Sequence, residues 1–205
     1  MTKKLFFTLS IIAFLGSCGT RRSVVQDPAT FDEGVVINDV RWATRNVDMP
    51  GTFAETPESS GMFFQWNRRK GWNTIDEEVE GWDSAYPTGV EWYFENDPCP
   101  TGWRVPTREE IQSLYNAESI WTTQNNVDGR LFGTYPNQIF LPAVGWRNRY
   151  GVLGSVAVGI NGNGNYWSRT QIARFLAWDL WFNYVGNYVG STVHSVGFSI
   201  RCVAK

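Results

Sequence analysis

Two late segments of the chain alternate apolar and polar residues with a period of two. Leu176, Trp178, Leu180, Phe182 and Tyr184 fall on one face, while Ala177, Asp179 and Asn183 fall on the other. Val196, Phe198, Ile200 and Cys202 alternate in the same way with Ser195, Gly197, Ser199 and Arg201. This period predicts half-buried antiparallel strands, with Cys202 on an apolar face. Nearer the N-terminus, Val35-Val36-Ile37 and Val40-Arg41-Trp42-Ala43 flank Asn38-Asp39. Two residues that tolerate positive φ between β-prone runs predict a tight hairpin. One segment has the helical period instead. Thr107 and Glu110 follow Pro106 at capping-box spacing, and Ile111, Leu114 and Tyr115 form an i, i+3, i+4 apolar face. Pro50 to Gly61 lacks any period and predicts a loop. Gly71 to Tyr93 predicts long irregular structure pinned by aromatics, and loops of that length are functional or unusually well anchored. Leu141 to Trp146 is a short apolar run broken by Pro142, and Gly162 and Gly164 mark a turn before Tyr166-Trp167-Ser168.

The first residues follow a different rule. Lys3 and Lys4 precede an apolar run from Leu5 to Leu15 that is too short to span a bilayer, as in a secretory leader. Leu15-Gly16-Ser17-Cys18 then reads as a bacterial lipobox, which makes residues 1–17 a signal peptide and Cys18 the lipid-attachment residue. The competing reading is an ordinary secretory signal followed by a spare thiol. A lipidated Cys18 leaves Cys99 and Cys202 as one pair, so no odd cysteine remains. Lipid chains would hold the protein at a membrane surface without a transmembrane helix. Gly19 after the cysteine favours the outer membrane, on its periplasmic or cell-surface face. Residues 18–30 are polar and predict a flexible tether.

Composition narrows the class. With 205 residues and 42% hydrophobic content, residues 31–205 can build one main domain. The 11 Trp and 20 Gly argue against a helical bundle and for a loop-rich, strand-containing domain. Net charge is −2, and removal of Lys3 and Lys4 leaves −4, so no basic stripe points to nucleic acid.

An ordered set of blocks carries a family resemblance: Gly34 to Val47, Gly61 to Asn67, Asp97 to Glu110, Leu141-Pro142-Ala143 with Gly145-Trp146-Arg147, Asn165 to Ser168, and Ser199 to Val203. Together they resemble the Fibrobacter succinogenes major paralogous domain, common in lipoproteins of the Bacteroidota and Fibrobacteres. Trp146 stands where that family often has Tyr, and Arg169 where a second Ser is usual. The resemblance implies an α+β, C-type lectin-like fold with one or two helices, short antiparallel strands, long loops and a disulfide. It carries no defined activity with it.

The side chains offer little catalytic chemistry. His194 is the single histidine, which argues against His-based triads and multi-His zinc sites, and it reads as an exposed polar residue before the last strand. Asp76-Glu77-Glu78 with Glu80 reads as a solvated loop. Trp103 to Thr107 with Glu109-Glu110 also resembles sulfatase-modifying factor domains, whose copper-coordinating cysteine pair would here require Cys99 and Cys202. Calcium-dependent sugar binding wants a Glu-Pro-Asn or Gln-Pro-Asp loop, which the chain lacks, and Asn161, Asn163 and Asn165 fit a turn better than a cation site. Neither a metal nor another cofactor is expected. Trp66, Trp72, Trp82 and Trp92 are the candidates for stacking on a glycan, against the simpler role of anchoring loops. The sequence therefore favours a lipid-anchored, non-enzymatic binding module for a glycan or an envelope protein. A structural or assembly component of a surface appendage is the alternative, and an enzyme the least favoured class.

Overall fold

The structure is a computed structural model that describes residues 26–154 and 162–205. The leader, Cys18 and Asn161 lie outside the described residues. In chain order the elements are β1 (Val35–Ile37), β2 (Val40–Asn46), β3 (Phe63–Gln65), β4 (Gly71–Trp72), β5 (Trp103–Arg104) and α1 (Arg108–Tyr115). They continue with β6 (Ser119–Gln124), β7 (Val127–Thr134), β8 (Asn137–Pro142), β9 (Trp146–Arg147) and β10 (Leu153–Gly154). The last five are β11 (Gly164–Ala173), β12 (Leu176–Phe182), β13 (Asn187–Val193), β14 (Gly197–Phe198) and β15 (Arg201–Ala204).

The strands form four sheets, ordered β1-β2-β15-β5, β10-β9-β14-β3-β4, β11-β12-β13 and β6-β7-β8. Their hairpins follow from short polar residues that accept the left-handed backbone. Asn38 and Asp39 sit at φ 47° and 65°, so Ile37 pairs with Val40 and Val35 with Trp42. Asn125 and Asn126, at φ 48° and 64°, do the same between β6 and β7.

This architecture corrects the expected fold class. Strand accounts for 44% and helix for 6% of the described residues, with one α-helix, so the fold is β-rich rather than an α+β, C-type lectin-like domain. The expectation missed the β6-β7-β8 meander and the β13 edge, whose polar and aromatic residues mask the alternation. Arg45 donates to the Pro28 carbonyl at 3.0 Å and Phe53 N–H to the Ala29 carbonyl at 2.7 Å, which ties these residues to β2 and the turn after it.

β15 is buried on both faces rather than half-buried, whereas β12 buries Ala177, Asp179, Leu180 and Phe182 and exposes Trp181. β15 lies between β2 and β5, pairing Val203 with both Trp42 and Arg104. Cys202 enters one apolar cluster with Trp66, Trp92, Trp103, Trp167 and Phe198, while Val203 enters a second with Trp42, Ile111, Phe132 and Phe182. Cys202 is bonded to Cys99, 103 positions away, with 6.1 Å between their Cα atoms. Arg201 is also buried, and its guanidinium donates to Asn46 Oδ1 at 2.8 and 3.1 Å and to the Ala43 and Phe140 carbonyls. Asn46 in turn donates to the Tyr166 hydroxyl, whose pKa burial pushes up to about 12.

The helix starts as its spacing predicts. Thr107 Oγ1 accepts from Glu110 N–H at 3.2 Å, and Glu110 Oε2 accepts from Thr107 N–H at 2.7 Å. Arg104 then forks onto both Glu110 oxygens at 2.7 and 2.6 Å. Burial alone would raise the Glu110 pKa, but Arg104 and the Thr107 N–H hold it below the ordinary value. Ile111 and Leu114 are buried, whereas Tyr115 is exposed.

Candidate functional site: a cationic trough with aromatic walls

A concavity lies where β3 ends. Asn67 adopts φ 54° and turns the chain, which places Arg68, Arg69 and Lys70 in succession along one rim. The Asn67 side chain is fully engaged. Its Nδ2 donates to the Thr88 carbonyl at 2.8 Å, and its Oδ1 accepts from Tyr93 N–H at 2.8 Å and Asn96 Nδ2 at 3.2 Å. One buried amide thereby fixes the long 85–96 loop against the turn. Gly89, at φ 125°, allows the close approach, since a Cβ there would stand 2.8 Å from Asn67 Nδ2.

Tyr86 lines the far side of this hollow and joins it to the turn between β11 and β12. Phe175 holds φ 71°, a conformation that aromatic residues rarely adopt, and its ring stacks on Tyr86 at 4.4 Å. His194 joins the two turns. Its N–H donates to the Phe175 carbonyl at 3.0 Å, its carbonyl accepts from Trp66 N–H at 3.1 Å, and its ring stacks on Trp66 at 4.0 Å. The space enclosed is about 480 Å³. Pro87 and Thr88 separate it from an adjoining hollow of about 340 Å³ that Arg174 and Phe175 line.

The cations differ in how they are balanced. Arg68 pairs with Asp83 at 2.6 Å. Arg69 donates to the Asp97 carbonyl at 2.6 Å, Lys70 lies 3.8 Å over the Trp72 ring, and Arg174 lies 4.7 Å over Phe175. Among the described residues, none of Arg69, Lys70 and Arg174 has a carboxylate within salt-bridge distance. The side chains lining the two hollows include no carboxylate, cysteine or histidine. The arrangement can therefore attract and orient an anion, but it holds no nucleophile with an adjacent base. Among the described residues, no three His, Cys, Asp or Glu side chains are grouped to hold a metal ion.

Three of the four candidate tryptophans are buried, and Trp82 is half-buried. Trp66 and Trp92 are fully buried and meet edge to face at 6.1 Å, with indole N–H groups donating to the Ser168 and Asn96 carbonyls. Trp72 is buried beneath Lys70, and Trp82 packs on it at 5.1 Å while contacting Gly151 and Gly197. Trp66, Trp72 and Trp92 thus offer no open ring face to a sugar, because filling the space under the long loops requires those faces.

His194 corrects another expectation, since it is fully buried rather than exposed. Burial lowers its pKa, the nearby Leu176 and Pro87 main chain oppose this in part, and neither ring nitrogen has a complete hydrogen bond. The acidic run Asp76-Glu77-Glu78 with Glu80 is exposed, as expected. Its backbone is gathered by the buried Arg147, which donates to the Asn73, Asp76, Glu77 and Gly151 carbonyls. Asn165 donates to Asn163 Oδ1 and the Gly145 carbonyl, an internal turn contact. The residues that sequence reasoning missed are Asn67, Arg69, Lys70, Tyr86, Arg174 and Phe175. The run Asn67-Arg68-Arg69-Lys70 was a usable signal, as a basic cluster in a net acidic chain.

No family model matches this chain, and no curated protein or solved structure matches it either.

Proposed function

We propose that this protein is a lipid-anchored envelope protein of the Fibrobacter succinogenes major paralogous type, and that its folded domain is a non-enzymatic binding module for a glycan or an envelope protein. The trough between the Asn67 turn and the Phe175 turn is the binding face. The observation that carries this reading is the set of cations without carboxylate partners among the described residues, Arg69, Lys70 and Arg174, around two adjoining hollows lined by Tyr86, Tyr93 and Phe175. Anchoring rests on the lipobox and on the bonding of the other two cysteines to each other. Among the described residues, no helix is long and apolar enough to cross a membrane.

Two measurements test it. Cys18→Ala should release the chain from membranes and remove a diacylglyceryl mass from residue 18, and membrane retention without lipid would refute the anchor. For the module, the full chain in detergent is applied to a glycan array and used to pull envelope proteins. Binding that trough variants abolish supports the reading, and binding indifferent to those variants refutes the assigned face.

One observation favours a second reading, an assembly component of a surface structure. β13 is an edge strand, and Trp181, Tyr184, Val185 and Tyr188 are exposed around it. Self-association that Tyr188→Lys abolishes would favour this reading over the first.

A further inference from the structure

We propose that the trough takes an anionic glycan, one whose sugar rings carry carboxylate or sulfate groups. This deepens the binding-module reading and rests on it. Charge is the first argument. Arg69 and Lys70 in the larger hollow and Arg174 in the adjoining one lack carboxylate partners among the described residues, although the chain is net −2. Positive charge is thus gathered locally around two hollows that share Pro87 and Thr88.

The second argument is the surface between those cations. Tyr86 and Tyr93 line the larger hollow and are each 36% exposed, while Phe175, stacked on Tyr86 with Arg174 over its ring, lines the smaller one. A sugar ring can lay its C–H face on Tyr86 or Tyr93 and turn an acidic substituent toward the neighbouring cations. A peptide adding as an extra strand would need a free strand edge for its backbone. The larger hollow instead lies wholly in turns and loops, and the nearest strand, β4, has two residues.

Preorganisation is the third. Both turns hold non-glycine residues in the left-handed region, Asn67 and Phe175, a costly conformation that persists where the surroundings over-determine it. Here the surroundings are the three hydrogen bonds of the Asn67 amide and the His194 N–H on the Phe175 carbonyl. The cations and rings are held in place before any ligand arrives.

Titration calorimetry on the full chain in detergent decides the matter, with polygalacturonate, heparin, neutral xylan, polyglutamate and oligo(dT) as probes. Binding of polygalacturonate or heparin, weakening between about 50 and about 500 mM salt, with no xylan binding, is the expected result. The R69Q/K70Q double variant and R174Q should each weaken binding roughly tenfold at unchanged unfolding midpoint. Tyr86→Ala should weaken it and Tyr86→Phe should not. Equal binding of xylan would overturn the acidic specificity while leaving the module reading intact. Polyglutamate or oligo(dT) binding as tightly as the glycans would overturn the ligand class. Silence toward all five probes would overturn the inference, while the module reading would still be judged by its variant-sensitive pull-down.

Discussion

The imidazole of His194 lies on the indole of Trp66, 4.0 Å between ring centres and 20° from parallel, and the His194 backbone ties Trp66 to Phe175. A residue with a polar ring thus serves as the keystone between two loops, and its burial couples the site to pH. Its folded-state pKa lies below the unfolded value, so protonation favours the unfolded chain. The stability of the neutral ring is complete above about pH 6.5 and is lost as pH falls through the folded-state pKa. His194→Phe keeps the stack and removes the titration. Its melting temperature should fall less than that of the wild type between about pH 7 and pH 5. Parallel curves would rule out His194 as the source.

Asp179 should act in the opposite direction. It is buried on β12 opposite Gly190, with Oδ2 lacking a hydrogen-bond partner, and burial pushes its pKa to about 6 although the Thr192 side chain opposes this. The folded chain therefore holds this proton more tightly than the unfolded one. Stability is full below the unfolded pKa and declines as pH rises through about 6. Asp179→Asn should stabilise the protein by about 1–3 kcal/mol at alkaline pH and change little in acid. Denaturant unfolding at both extremes measures the difference.

How much of this was legible beforehand differs by element. The hairpin at Asn38-Asp39 and the capping box at Thr107 and Glu110 are local devices, and their residue types alone specify them. The two-sided burial of β15, and the burial of Asp179 on β12, were not legible. Asp179, Ser199 and Arg201 are polar, and their partners lie on distant segments: Arg201 reaches Asn46 across 155 positions. Polar residues read as solvent-facing until those partners are known. The same ambiguity covers His194 and the buried Trp66, Trp72 and Trp92, because an aromatic ring in a long loop fits a binding face and a buried anchor equally well.

Arg201 is a strict test of the core. Its guanidinium satisfies Asn46 and two main-chain carbonyls in a site closed to water. Arg201→Ala should cost at least about 3 kcal/mol, since it leaves those acceptors unpaired. Arg201→Lys should not restore stability, because one ammonium cannot reproduce a planar fork. Chemical denaturation of both variants provides the measure, and a Lys variant equal to wild type would refute the geometric requirement.

The Cys99–Cys202 crosslink closes most of the domain. On the chain-entropy model a loop of this length is worth up to about 4–5 kcal/mol. The paired Cys99→Ala, Cys202→Ala variant should lose a comparable amount, measured against wild type in guanidinium. A loss below about 1 kcal/mol would show that the unfolded chain is already restricted.

Residues 197–204 supply β14 and β15, each flanked on both sides by strands made much earlier in the chain. Neither sheet has a middle until that segment is in place. The order of events is thereby set: local hairpins such as β1-β2 and β6-β7 can form early, but the body must wait for its last strands. Until then β2, β3, β5 and β9 have edges open to any passing strand.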